Sequence, residues 1–211
     1  LIVRPQFQLL ADGDLLLDDH ARGSLALSRY SIAVNCWASV HGEVLRDQDQ
    51  AGASPALHVS ADGALHLAWI GRYSADDVPE YALAYARSKN GGATWTKSDG
   101  TPLSLPITAV TAEQVQCLPA DGSSLPQPLI GSDRSGRPFL GTFLAPGPGE
   151  APRFTLAQWC RAPRGIERSW IGSFQSASAE QGGVIRLQVN AGVASRGGEP
   201  RANLSSRRSS G

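Results

Sequence analysis

Two extended runs, RPQFQLL and DLLLDDH, flank the tripeptide Ala11-Asp12-Gly13. Read as a three-residue hairpin loop closed by a left-handed glycine, the tripeptide sets Leu10 opposite Asp14. Counting back along both runs puts Arg4 opposite His20, and directly opposed residues share a face. A guanidinium clamps a carboxylate, and an imidazole with a near-neutral pKa takes up a proton. Together they suit proton abstraction beside a carboxylate. The alternative is a pair of rim residues with no catalytic role.

The same form returns around Ala61-Asp62-Gly63 in SPALHVSADGALHLAW. There the register sets Ser60 opposite Ala64 and His58 opposite His66. Two adjacent imidazoles begin a metal site, but no third ligand follows from the spacing. The plainer reading is half-buried strand histidines with hydrogen-bonded partners. Arg72 follows LHLAWIG and is a candidate for binding an acidic group, as is Arg22 after the first hairpin; a solvated loop arginine is the equal alternative for Arg72. Asp76, Asp77 and Glu80 crowd one loop, where a glycosidase would need two carboxylates flanking a bond.

The elements that would position these residues are short. A looser third copy, QPLIGSDRSGRPFLGTF, turns around Ser135-Gly136. Each unit runs on into another apolar stretch: SLALSRY, YALAYARS, RFTLAQW. Several runs alternate or are β-branched and aromatic, and none carries long helical periodicity. Repeats of this length with about four strands each predict a β-propeller, with a β-sandwich as the alternative. The expected blades span 1–172, with 173–211 partly irregular. From about residue 190 the Gly, Ser and Arg content predicts a disordered tail.

Residues 88–95 read SKNGGATW. Gly91 and Gly92 permit the positive φ of a tight turn. Asn90 can bond nearby backbone amides as an Asp does. The stretch resembles the Asp box of sialidase-like, BNR-repeat propellers, with Ser88, Asn90, Gly92, Thr94 and Trp95 at its defining places. The resemblance implies a scaffold role, with Trp95 covering the turn at the blade periphery, away from substrate.

The segment YALAYARSKNGGATWTKSDGTPLSLPIT resembles the BNR-repeat-containing family that includes ulvan lyases. RPQFQLLADGDLLL, LHLAWIGR and GSDRSGRPFLGTF are similar to its blade starts. The resemblance covers roughly residues 3–172 and implies an all-β, sialidase-like propeller with about three blades present. It implies a secreted or periplasmic protein acting on acidic polysaccharide. In lyase-like members the first hairpin carries a Tyr before the Pro, which serves as catalytic base or acid. An Arg at the end of the next strand binds the uronate carboxylate. Here Arg4 stands at the Tyr position and His20 at the Arg position. For β-elimination Arg4 would hold the carboxylate and His20 would take the C5 proton, with Arg72 and Arg22 as further substrate contacts. A non-catalytic glycan-binding propeller and a sialidase-like hydrolase are the other readings. The arginine cluster and Tyr–Glu pair of a sialidase cannot be assembled from the sequence.

Composition and charge give no sign of a nucleic-acid or membrane partner. The 211 residues suit one domain, and 19 basic against 19 acidic residues give no net charge and no sign of nucleic acid. No apolar run approaches a membrane span. No cofactor or metal is expected. Cys36, Cys117 and Cys160 lack CxxC spacing and are expected to be buried small apolar residues. With no Met and a start within a strand-like run, the chain reads as a processed or partial product.

Overall fold

Three turns set the architecture, and they are built alike. Gly13, Gly63 and Gly136 have φ of 88°, 76° and 72°, the left-handed conformation that glycine adopts without cost. Each glycine donates its N–H three residues back, to Leu10, Ser60 and Asp133, at 2.9–3.0 Å. The strands that leave these turns pair as Leu9 with Leu15, Val59 with Leu65, and Ser132 with Pro138. Position by position, the opening hairpins of the three units therefore share one register.

In a computed structural model, the described residues are 5–21, 24–46, 55–72, 81–118, 127–144, 153–161 and 168–175. They form an all-β chain with no helix, arranged as three antiparallel sheets. Blade 1 has the order β1 (Gln6–Leu9), β2 (Leu15–Ala21), β3 (Ser24–Ser31), β4 (Cys36–Arg46). Blade 2 runs β5 (Ala56–Val59), β6 (Leu65–Arg72), β7 (Tyr81–Ser88), β8 (Trp95–Thr96), β9 (Pro102–Leu103). A further strand, β10 (Glu113–Leu118), also pairs with β7. Blade 3 has β11 (Leu129–Ser132), β12 (Pro138–Leu144), β13 (Arg153–Arg161) and β14 (Arg168–Gln175). The expected propeller blades and both expected hairpins are present. The tail expected from about residue 190 lies outside the described residues.

Blade 2 is sandwiched. Leu65, Leu67, Trp69 and Trp95 pack with Leu16, Leu25 and Leu27 of blade 1. Its other face, with Ala68, Ile70, Leu83 and Tyr85, packs on Leu140 of blade 3. Every residue from Leu65 to Gly71 is buried, which is why LHLAWIG reads as an almost unbroken apolar run. Blade 1 covers one face only. Phe7, Leu9 and Trp37, on its other side, are exposed.

The outer strand of blade 2 comes in two pieces, β8 and β10, both on β7. Between them the chain turns through β9 and then leaves for blade 1. Ile107 donates to the Val44 carbonyl at 2.8 Å and accepts from the Arg46 amide at 2.9 Å. The segment PLSLPIT thus stitches two blades together through the backbone.

Candidate functional site

In an antiparallel blade, the turns after the first and third strands lie at one end, and the connection after the second lies at the other. His20 and Arg72 sit at the far ends of β2 and β6, at the end of each blade opposite the 61–63 and 88–95 turns. Arg72 closes a strand rather than standing in a loop. Gln6 pairs with Asp18, the register expected of the first hairpin. Arg4, Arg22, Asp76, Asp77 and Glu80 lie outside the described residues.

His20 is 7% exposed and shares the inner face of β2 with Leu16 and Asp18, toward blade 2. Its Nε2 lies 3.8 Å from Asp18 Oδ1. Asp18 is fully buried, and its Oδ1 accepts the Gln6 amide at 3.0 Å. Oδ2 has no hydrogen-bond partner among the described residues. Burial raises the Asp18 carboxyl to about 6; the Gln6 amide opposes the rise and the neighbouring Asp19 charge adds to it. The shared register puts Ile70 and Phe143 where blade 1 has His20, and Ala68 and Gly141 where it has Asp18. The fold therefore does not require polar groups at either place. Sequence reading found His20 but passed over Asp18, although the three units laid side by side carry the signal.

The second histidine pair forms as expected, with His58 opposite His66, and both rings are hydrogen-bonded within the packed sheets. His66 is fully buried. Tyr85 Oη lies 2.7 Å from its Nδ1 and Ser60 Oγ lies 3.0 Å from its Nε2. Ser60 Oγ in turn donates to Asp62. One consistent direction runs through this chain: Tyr85 O–H to Nδ1, Nε2–H to Ser60, Ser60 O–H to Asp62. Ser60 spends its proton on a carboxylate and receives one from the imidazole, which is the reverse of an activated nucleophile. Burial, with the Arg87 charge next, lowers His66 to about 3, so the ring is neutral at physiological pH. His58 is half-buried, with Nε2 2.9 Å from Ser132 Oγ of blade 3. Among the described residues no group of three or more His, Cys, Asp or Glu side chains is placed to hold a metal.

The 88–95 turn is closed by its own side chains. Ser88 Oγ accepts the Gly92 amide at 2.9 Å, and Asn90 Oδ1 accepts the Thr94 amide at 2.9 Å. Asn90 also donates to Thr94 Oγ1 at 2.9 Å, and the Trp95 indole donates to the Gly92 carbonyl at 2.9 Å. Arg87, just before the turn, reaches Asp62 at 2.9 Å; in blade 1 Arg29 holds Asp12 and Asp14 in the same way. The cysteine expectation is corrected. Cys36 and Cys117 are exposed: Cys36 opens the uncovered start of β4, and Cys117 points outward on β10, where the adjacent Leu118 takes the inward place, while the side chain of Cys160 lies outside those described.

Residues 4–163 match the BNR repeat-containing family. The chain belongs to that family. Among solved structures, a polysaccharide lyase, Uly1, matches with a TM-score of 0.52 and 13% identity, covering 89% of this chain and 53% of that one. An endo-arabinase from Bacteroides thetaiotaomicron matches with a TM-score of 0.44 and 14% identity, covering 83% of this chain and 57% of that one. The chain thus spans just over half the length of these two proteins, and the likeness to the lyase is one of fold. No curated protein matches the sequence.

Proposed function

We propose that this member of the BNR repeat-containing family acts on an acidic, uronate-containing polysaccharide by β-elimination, in a secreted or periplasmic setting. The observation that carries the reading is His20. It is an imidazole at a strand end where the sister blades have Ile70 and Phe143. It sits at the end of its blade opposite the 88–95 turn, which we read as a structural Asp box. That a solved relative in fold is a polysaccharide lyase supports the substrate class.

The roles follow from the reaction. Arg4, with Arg22 and Arg72, would bind the uronate carboxylate and withdraw charge from the adjacent carbon. Neutral His20 would accept the C5 proton as that C–H bond breaks. The electron pair becomes the C4=C5 double bond, the C4–O bond breaks, and the leaving oxygen takes a proton from an acid or from water. No cofactor enters these steps. The test is the ultraviolet absorbance of the unsaturated uronate, measured on uronate-containing glycans. Absorbance growing with time, and lost in His20→Ala, is the expected result. Glycan binding without that absorbance would assign a binding propeller, and new reducing ends without it would assign a hydrolase.

A further inference from the structure

We propose that Asp18 is a positioning residue for His20: its buried carboxylate orients the imidazole and shares the positive charge that forms when the ring takes a proton. The inference rests on the reading of His20 as proton acceptor, but its own observations are separate. Asp18 and His20 are two apart on one strand, so they stand on the same face. Nε2 and Oδ1 lie 3.8 Å apart, within ion-pair distance once the ring is protonated.

The pair is also one that the fold had no need to make. Ala68 with Ile70, and Gly141 with Phe143, fill the same two places in blades 2 and 3. Burying a carboxylate without full hydrogen bonding costs stability. Asp18 is buried all the same, with Oδ2 unpartnered among the described residues. A buried acid kept beside an imidazole has the arrangement by which carboxylates fix a histidine's tautomer and stabilise its cation.

Among the described residues, the other neighbours of the pair are largely apolar. Blade 2 faces the pair with Leu65, Leu67 and Trp69, all apolar apart from the indole nitrogen. Across β2, Asp18 pairs with Leu27, and Leu27 pairs with His41 of β4, which has Glu43 beside it. β1 contributes the Gln6 amide. Asp19 is the neighbouring carboxylate on the same strand and lies on the opposite face.

The experiment is an NMR titration of the imidazoles in the intact chain, with the His20 signals assigned by their loss in His20→Ala. In Asp18→Asn, whose Oδ1 still accepts the Gln6 amide, the proton affinity of His20 should fall about tenfold or more. In Asp19→Asn it should fall much less. Asp18→Glu, which keeps the carboxylate, should restore part of the loss and serves also if the Asn variant folds poorly. An unchanged His20 titration in Asp18→Asn, or equal shifts in the two Asn variants, would overturn the proposal. The titration needs no substrate. A shifted titration in a chain that turns over no uronate would therefore leave the pair standing and remove only the lyase reading.

Discussion

Trp37 and Trp95 occupy the same place in successive blades, and one is 46% exposed while the other is 1% exposed. The pairings that establish the equivalence are Arg29 with Ala38 and Arg87 with Thr96, one residue after each Trp. Blade 1 lies over Trp95, and its Leu27 comes close to the 88–95 turn. Trp95→Ala should therefore cost roughly 3–5 kcal/mol, as for a buried large aromatic. Trp37→Ala should stay within about 1 kcal/mol. Denaturant midpoints of the two variants measure the difference, and equal losses would contradict it.

The turn beneath Trp95 makes a sharper comparison. Gly92 has φ of 97°, and a Cβ there would come within 2.8 Å of the Leu27 side chain; at Gly91, with φ of 69°, the nearest approach is 3.6 Å. Gly91→Ala should cost only the left-handed strain, about 1–2 kcal/mol. Gly92→Ala should cost more, because it also pushes blade 1 away. Thermal unfolding of both variants tests the order.

His20→Ala should lower turnover of an acidic polysaccharide by about 10²–10⁴, the usual worth of general acid–base catalysis, with the circular dichroism spectrum unchanged. Arg72→Ala should act mainly on KM, more strongly at low salt where screening is weaker. Rates measured by double-bond absorbance decide both.

Acidity should act on His66 in one direction. Its folded pKa of about 3 lies below the ordinary 6.5. Between those limits the unfolded chain binds a proton that the folded chain refuses. The stability it contributes is thus present above pH 6.5 and is lost as pH falls toward 3, on the order of 3–5 kcal/mol in all. Urea unfolding followed from pH 7.5 to 4 should show this fall, and His66→Gln should flatten it.

Asp18 should act in the opposite direction. Burial raises its folded pKa from 3.8 to about 6. Its contribution is complete below pH 3.8 and disappears as pH rises through 6. Asp18→Asn should therefore gain roughly 1–3 kcal/mol over the parent at pH 7.5, with the gap closing near pH 4. An Asn variant that is less stable at pH 7.5 would show that the ionised carboxylate is compensated in place.

Much of the fold was legible because its signals are local. Each Asp-Gly or Ser-Gly turn carries its own conformational requirement, and the 88–95 stretch closes on its own side chains. The sandwiching of blade 2 shows in the unbroken apolar run of β6. What was not legible depends on partners far along the chain. The run DLLLDDH does not say which of Asp18 and Asp19 points inward; the register with Gln6 and the packing of blade 2 decide that. The two histidines of the second hairpin were visible as a pair. Their hydrogen-bond chain through Tyr85, and the link from His58 to Ser132, draw on other strands and another blade. The exposure of Cys36 and Cys117 follows from the uncovered start of β4 and an outward place on β10, which no composition argument identifies.

The stitch at Ile107 gives the two seams of the array different characters. The seam between blades 1 and 2 carries two main-chain hydrogen bonds, from the Ile107 amide to Val44 and from the Arg46 amide to Ile107, as well as apolar packing. Between blades 2 and 3 the described residues offer side-chain contact: a small apolar cluster and the single bridge from His58 to Ser132. In a chain of repeats, cooperativity is set by the coupling between neighbours. Blades 1 and 2 should therefore open as one unit, with the amides of Ile107 and Arg46 exchanging their protons only when both sheets come apart. The third sheet should loosen first, so the weaker seam sets how readily this repeat array begins to unfold.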